Sequence, residues 1–192
     1  MASHRLNFRE VAVRTSLSFL FCLAIGLLRY GTVAFQTDHW SFQLVIYGFV
    51  YGLFLALWRV QRRTALAFLL VYFFAESAFL TGALVEHRAL MVLAYFSLSA
   101  GGLVLHDRLF LGPSKRSLLR EPLGLAVLLG IAYTLAAAVS LLVMRLFSSL
   151  EVDVLPNIMG AATIGFLLGL GVGLGHAVAD TAKVREVLVK VR

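Results

Sequence analysis

Six apolar runs, each long enough to cross a lipid bilayer as a helix, occupy most of this chain. They cover residues 13–35, 42–60, 65–86, 89–111, 122–147 and 156–182. A hydrocarbon core about 30 Å thick takes roughly 20 apolar residues of helix to cross. Lipid offers no hydrogen bonds, so each run must satisfy its own backbone, which a helix does. The expected fold is therefore all-α: a polytopic integral membrane protein, a bundle of six transmembrane helices forming one membrane domain over residues 1–192. Composition agrees. Hydrophobic residues make up 60% and charged residues 14% of the chain, against about 45–50% and 25% in soluble domains.

The connections are short and polar, and their charges set an orientation. Arg5, Arg9 and Arg14 precede or open the first run, and Arg59, Arg62 and Arg63 lie around the link between the second and third. Arg108, Lys115, Arg116 and Arg120 lie around the link between the fourth and fifth, and Lys183, Arg185, Lys190 and Arg192 follow the sixth. Only Arg29, Arg88 and Arg145 fall on the other side. Basic residues accumulate on the cytoplasmic side of short loops, so both termini are expected in the cytoplasm. The short loops and this bias suggest a bacterial plasma (inner) membrane. Trp40 and Trp58 bracket the second run, where indoles anchor at the interfaces. The formal net charge of +7 would point to nucleic acid on a soluble protein. Here it reads as orientation, and no nucleic-acid partner is expected.

Segments 1–12 and 183–192 are expected to lie along the inner surface. In VREVLVKVR, Val184, Val187, Leu188 and Val191 share a face at helical spacing, opposite Arg185, Glu186, Lys190 and Arg192. Such a short amphipathic helix suits an anionic leaflet, a protein partner, or continuation of the sixth helix into water.

Helix packing in lipid depends on small residues that admit a neighbouring backbone. Gly165, Gly169 and Gly173 form one smooth face on the sixth run, widened by Gly171 and Gly175. With Ala132, Ala136 and Ser140 on the fifth and Ser97 and Gly101 on the fourth, runs four, five and six are expected to form the tight core. The second run carries Gly48 and Gly52 on one stripe, with Tyr47 and Tyr51 beside it. A close helix approach is one use of that stripe, and a pair of tyrosines facing a cavity is another.

Glu76 is the candidate for chemistry. It stands among aromatic and aliphatic residues in VYFFAESAFLTG, about eleven residues from either end of its run. A charged carboxylate at such depth costs a few kcal/mol, so it should face the bundle interior or water. It has three possible uses: a neutral hydrogen bond, an ion pair with Arg29 or Arg145, or capture and release of a proton or cation during transport. Ser77 lies beside it, and Tyr47 and Tyr51 are placed on the same candidate path. A second polar cluster combines His106 and Asp107 with His176 and Asp180, the latter pair one helical turn apart. If the two ends meet, four ligands of metal-binding type converge, although interfacial salt bridges are the ordinary use of such residues. No metal or cofactor is expected.

HExxH, GxSxG and CxxC are all absent from the sequence, so enzyme chemistry is not expected. Cys22 is the single cysteine and lies within an apolar run, the ordinary setting of a buried structural thiol. Two functions remain. One is a transporter, or membrane-embedded transporter subunit, for a small solute or ion, with Glu76 on the path. The other is a non-catalytic membrane scaffold that binds a partner through its glycine faces and amphipathic C-terminus. The bilayer itself is a partner in both.

Overall fold

The computed structural model describes residues 6–32, 39–81, 86–110, 119–147 and 153–181; within these, side chains at 32, 39–40, 77–81, 86–90, 110 and 147 are not described. The C-terminal segment 183–192 lies outside the described residues. Six α-helices account for almost all of the described chain: α1 Phe8–Thr32, α2 His39–Val60, α3 Arg62–Thr81, α4 Glu86–Phe110, α5 Arg120–Phe147 and α6 Val154–Ala179. No strand occurs among the described residues. Among those residues, four helices are long and apolar enough to cross a membrane, over Phe8–Gly31, Ser41–Val60, Arg120–Leu146 and Val154–Ala179.

Local chemistry sets several of the helix ends. The Asn7 side chain accepts a hydrogen bond from the Glu10 N–H at 3.3 Å, which caps α1 one residue before Phe8. Residues 8–12 are accordingly continuous with α1. Pro122 and Pro156 sit in the first turns of α5 and α6, where a missing N–H forfeits no helical bond. A single non-helical residue, Gln61, separates α2 from α3, and α3 folds back far enough to bring Glu76 to Tyr47. Helix α3 ends at Thr81 and α4 starts at Glu86, so the boundary between them falls earlier than hydropathy alone places it.

Neighbours in sequence pack as neighbours in space: α1 on α2, α2 on α3, α3 on α4, α4 on α5 and α5 on α6, with α1 also closing onto α6. Helix α2 leans inward and touches α4 and α6 as well. The helices alternate in direction. One end of the bundle therefore gathers the starts of α1, α3 and α5 and the finishes of α2, α4 and α6. Arg14, Arg59, Arg62, Arg108 and Arg120 all lie there, and it is called the arginine end below.

Glycine decides how closely α6 is approached. A Cβ added at Gly169 would sit 2.5 Å from the Leu125 carbonyl oxygen and 2.6 Å from the Ala126 Cα, and one at Gly173 would sit 2.6 Å from the Pro122 Cα. At Gly165 it would meet the Tyr133 Cβ at 2.7 Å. The face Gly165–Gly169–Gly173 is therefore filled by the backbone of α5. Gly171 and Gly175 turn the other way, toward Cys22 and Ser18 of α1, and Gly48 and Gly52 of α2 meet the same two side chains. Helix α1 is thus wedged between α2 and α6 on two rungs, each a small side chain held between two glycines. The tight core is α2–α1–α6–α5. Helix α4 packs on α5, not on the glycine face of α6. The sequence-based grouping of α4, α5 and α6 is corrected because the second glycine edge of α6 is taken by α1.

Candidate functional site

The polar residues gather at two places. At the arginine end, Arg59 near the finish of α2 directs three nitrogens at three carboxylates, on α4, on α5 and at the C-cap of α6. Its Nε donates to Asp107 of α4 at 3.2 Å, its Nη1 to Asp180 beyond α6 at 3.3 Å, and its Nη2 to Glu121 of α5 at 2.5 Å. Arg14 of α1 donates from Nη2 to the other oxygen of Asp180 at 2.6 Å and from Nε to Glu10 at 3.0 Å. Both arginine side chains are only 8% exposed. Asp180 thus joins the two arginines, and the network ties α1, α2, α4, α5 and α6 together.

Two buried histidines sit beside this network. Arg14 Nη1 lies 3.5 Å from His176 Nδ1, and His176 Nε2 lies 3.3 Å from the Gly52 carbonyl. An arginine can only donate, so His176 accepts at Nδ1 and donates from Nε2. His106 places Nε2 2.9 Å from the Glu121 carbonyl and donates to it. The four residues His106, Asp107, His176 and Asp180 are therefore brought to one end of the bundle. Among the described residues, no group of three or more His, Cys, Asp or Glu side chains is arranged to hold a metal ion. The carboxylates face guanidinium groups instead, and the arginines occupy the cation's position. Sequence reasoning used Arg14 and Arg59 for orientation alone and passed over Glu10 and Glu121. The signal available was position: Arg14 and Arg59 fall just within the ends of apolar runs, where a charge drawn into the bundle needs a partner.

Glu76 lies elsewhere. It stands fourteen residues after Arg62 and five before Thr81, in the half of α3 away from the arginines. It is half-buried and borders a cleft of about 450 Å³ lined by Phe42, Gln43, Ile46, Tyr47, Tyr72 and Ala75. The Tyr47 hydroxyl donates to Glu76 Oε1 at 3.4 Å, a long and weak bond. No cation is bonded to Glu76 among the described residues. Arg29 is half-buried in the last turn of α1, which packs on α2 and α6, and Arg145 is exposed in the last turn of α5. Neither helix is a main neighbour of α3, so the ion pairs weighed from sequence are not among the described contacts. Ser77 belongs to α3, but its side chain lies outside the described residues.

Aromatic rings back the cleft. Tyr72 meets Phe96 at a centroid distance of 4.9 Å, and Tyr47 meets the same ring at 6.1 Å, both edge-to-face. Tyr51 is buried beneath, 5.8 Å from Phe96 and 6.2 Å from Tyr47. The two tyrosines of α2 therefore separate: Tyr47 lines the cleft and Tyr51 fills the core.

The fold and composition define a class: among the described residues the protein is all-helical, with four helices long and apolar enough to cross a membrane. No protein-family model, curated protein or solved structure matches the chain.

Proposed function

We propose that this is a six-span protein of a bacterial plasma membrane, with both termini in the cytoplasm, acting as a transporter or transporter subunit for a small solute or ion. Glu76 is the group that takes up and releases the cargo or a coupled proton. The observation that carries this reading is the contrast between Glu76 and the carboxylates at the arginine end. Glu10, Asp107, Glu121 and Asp180 are all bonded to arginine, whereas Glu76 borders an open cleft and its bonding partners among the described residues are the hydroxyls of Tyr47 and Tyr72. An intramembrane ionisable residue is costly to keep unless it is used. The charge network then serves as a closure at the cytoplasmic end, below the cleft.

Several features support the threading. Helices α3 and α4 run beside the four apolar ones, and at 1.5 Å per residue their 20 and 25 residues reach about 30 Å and 37 Å. The arginine end carries the excess of Arg and Lys that marks a cytoplasmic face. The scaffold alternative draws no support from Gly165, Gly169 and Gly173, because α5 already fills that face.

The test is ion flux in proteoliposomes loaded with a pH-sensitive dye, driven by an imposed membrane potential. Wild-type protein should carry a cation- or proton-dependent signal, and Glu76→Gln should abolish it while melting at the same temperature. Flux that persists in Glu76→Gln would overturn the assignment.

A further inference from the structure

Resting on the transport reading, the lining of the Glu76 cleft points, we propose, to one class of cargo: an organic ammonium ion with an apolar arm, entering from the outer half of the bilayer. The lining argues by elimination first. An anion would meet a carboxylate and no described cation, so the sign excludes it. A hard ion such as Ca²⁺ takes 6–8 oxygen ligands, and Mg²⁺ keeps its waters unless an octahedral set replaces them. The cleft offers Glu76, the Gln43 amide and the hydroxyls of Tyr47 and Tyr72 as polar groups, and Phe42, Ile46 and Ala75 as carbon. That set is too poor in oxygen to replace a tightly held hydration shell.

An ammonium substituted with carbon asks for less. It needs one counter-charge and several aromatic walls, because a weakly hydrated cation is attracted by ring quadrupoles. Glu76 supplies the charge, and Phe42, Tyr47 and Tyr72 supply the rings. Two of those rings are held edge-to-face by the buried Phe96, so the wall is formed before any ligand arrives. A volume of about 450 Å³ falls within the usual range of small-molecule sites, about 300–1,000 Å³. The route of entry follows from the rim. Phe42 is 69% and Ile46 41% exposed, so the cleft has a mouth on the apolar flank of the bundle. A cargo that partitions into lipid reaches it directly, and one without an apolar arm does not.

The probe is benzyltrimethylammonium, titrated calorimetrically against the protein in lipid nanodiscs, with its uncharged carbon isostere neopentylbenzene as the control. The ammonium should bind saturably and the isostere should not. Glu76→Gln should weaken binding about tenfold or more, and Tyr72→Leu about fivefold through loss of a ring. Phe74→Leu, which removes an exposed ring outside the cleft, should leave it unchanged. Melting temperatures of all three variants separate weak binding from misfolding, and Glu76→Asp, which keeps the charge, should retain part of the affinity if Glu76→Gln fails to fold. Equal binding of ammonium and isostere, no binding of either, or Glu76→Gln binding at wild-type strength each overturns the assignment. The proteoliposome flux separates this failure from failure of the transport reading. Glu76-dependent flux without ammonium binding removes only the cargo class, and loss of both removes the transport reading with it.

Discussion

Arg59 and Glu76 are both charged residues set in apolar helices, and their surroundings make opposite demands on them. Arg59 satisfies three carboxylates, on α4, on α5 and at the C-cap of α6, through three different nitrogens. Removing one partner of such a buried set strands the remaining charges, at a cost of about 3–5 kcal/mol. Arg59→Met should therefore lower the melting temperature in detergent sharply, and adding Asp107→Asn should recover part of the loss. Arg59→Lys keeps the charge but not the planar fork, so it too should destabilise, by about 3 kcal/mol if two charge-assisted bonds are lost. Arg62→Met is the control, since Arg62 is exposed and stacks on Trp58 at 5.4 Å. Equal shifts for Arg59→Met and Arg62→Met would refute a structural role for the network. Glu76 is bonded among the described residues to the neutral hydroxyls of Tyr47 and Tyr72, which a glutamine oxygen can still accept from. Glu76→Gln should cost less than about 1 kcal/mol, which makes the loss of flux or binding in that variant interpretable as chemistry.

At the scale of helices, small residues control distance. The rungs Gly48–Cys22–Gly171 and Gly52–Ser18–Gly175 bring α1 against α2 and α6 together. A side chain at any of the four glycines must push backbone or a short, stiff side chain, because no long flexible group stands opposite. The same holds at Gly169, where the obstacles are the Leu125 carbonyl and Ala126 backbone atoms. Gly169→Leu should destabilise the fold far more than Leu170→Ala, since forcing helices apart loses close packing that lipid does not replace. Gly101→Ala is the opposite case. Nothing lies within 4 Å of its added Cβ, so the change should stabilise α4 by about 0.5–1 kcal/mol through backbone entropy alone. Thermal unfolding in one detergent ranks all three. A melting temperature for Gly169→Leu equal to wild type would contradict the close α5–α6 approach.

At the scale of the whole molecule, the proposed threading predicts which surfaces a membrane-impermeant thiol reagent reaches in intact cells. Cys22 is buried, so the wild-type background should stay silent. A cysteine placed at Asp38 should react from outside, and cysteines at Lys115 and Arg192 should react only after the membrane is opened. Labelling of the Lys115 site from outside would reverse the orientation. Much of the architecture was legible along the chain. Apolar length, prolines near helix starts and the bias of Arg and Lys are properties that each segment carries by itself, and they suffice for six helices and for the end where the arginines collect. The α3–α4 boundary was less legible, because the run read as the third helix extends to Glu86, which belongs to α4. The site was half legible. Glu76 stands out in any hydropathy reading, as do His106, Asp107, His176 and Asp180, but none of them announces its partner. Asp180 meets Arg14 across 166 residues of sequence and Arg59 across 121, and no local pattern encodes such a meeting. The sequence by itself therefore determined which segments are helices and where their charges sit, because burial in lipid acts on each segment separately. Only the tertiary structure decided that Arg59 is saturated by three carboxylates and Glu76 left beside an open cleft, because pairing depends on which helix faces are brought within reach, and the glycines of α2 and α6 set that by their contacts with α1 and α5.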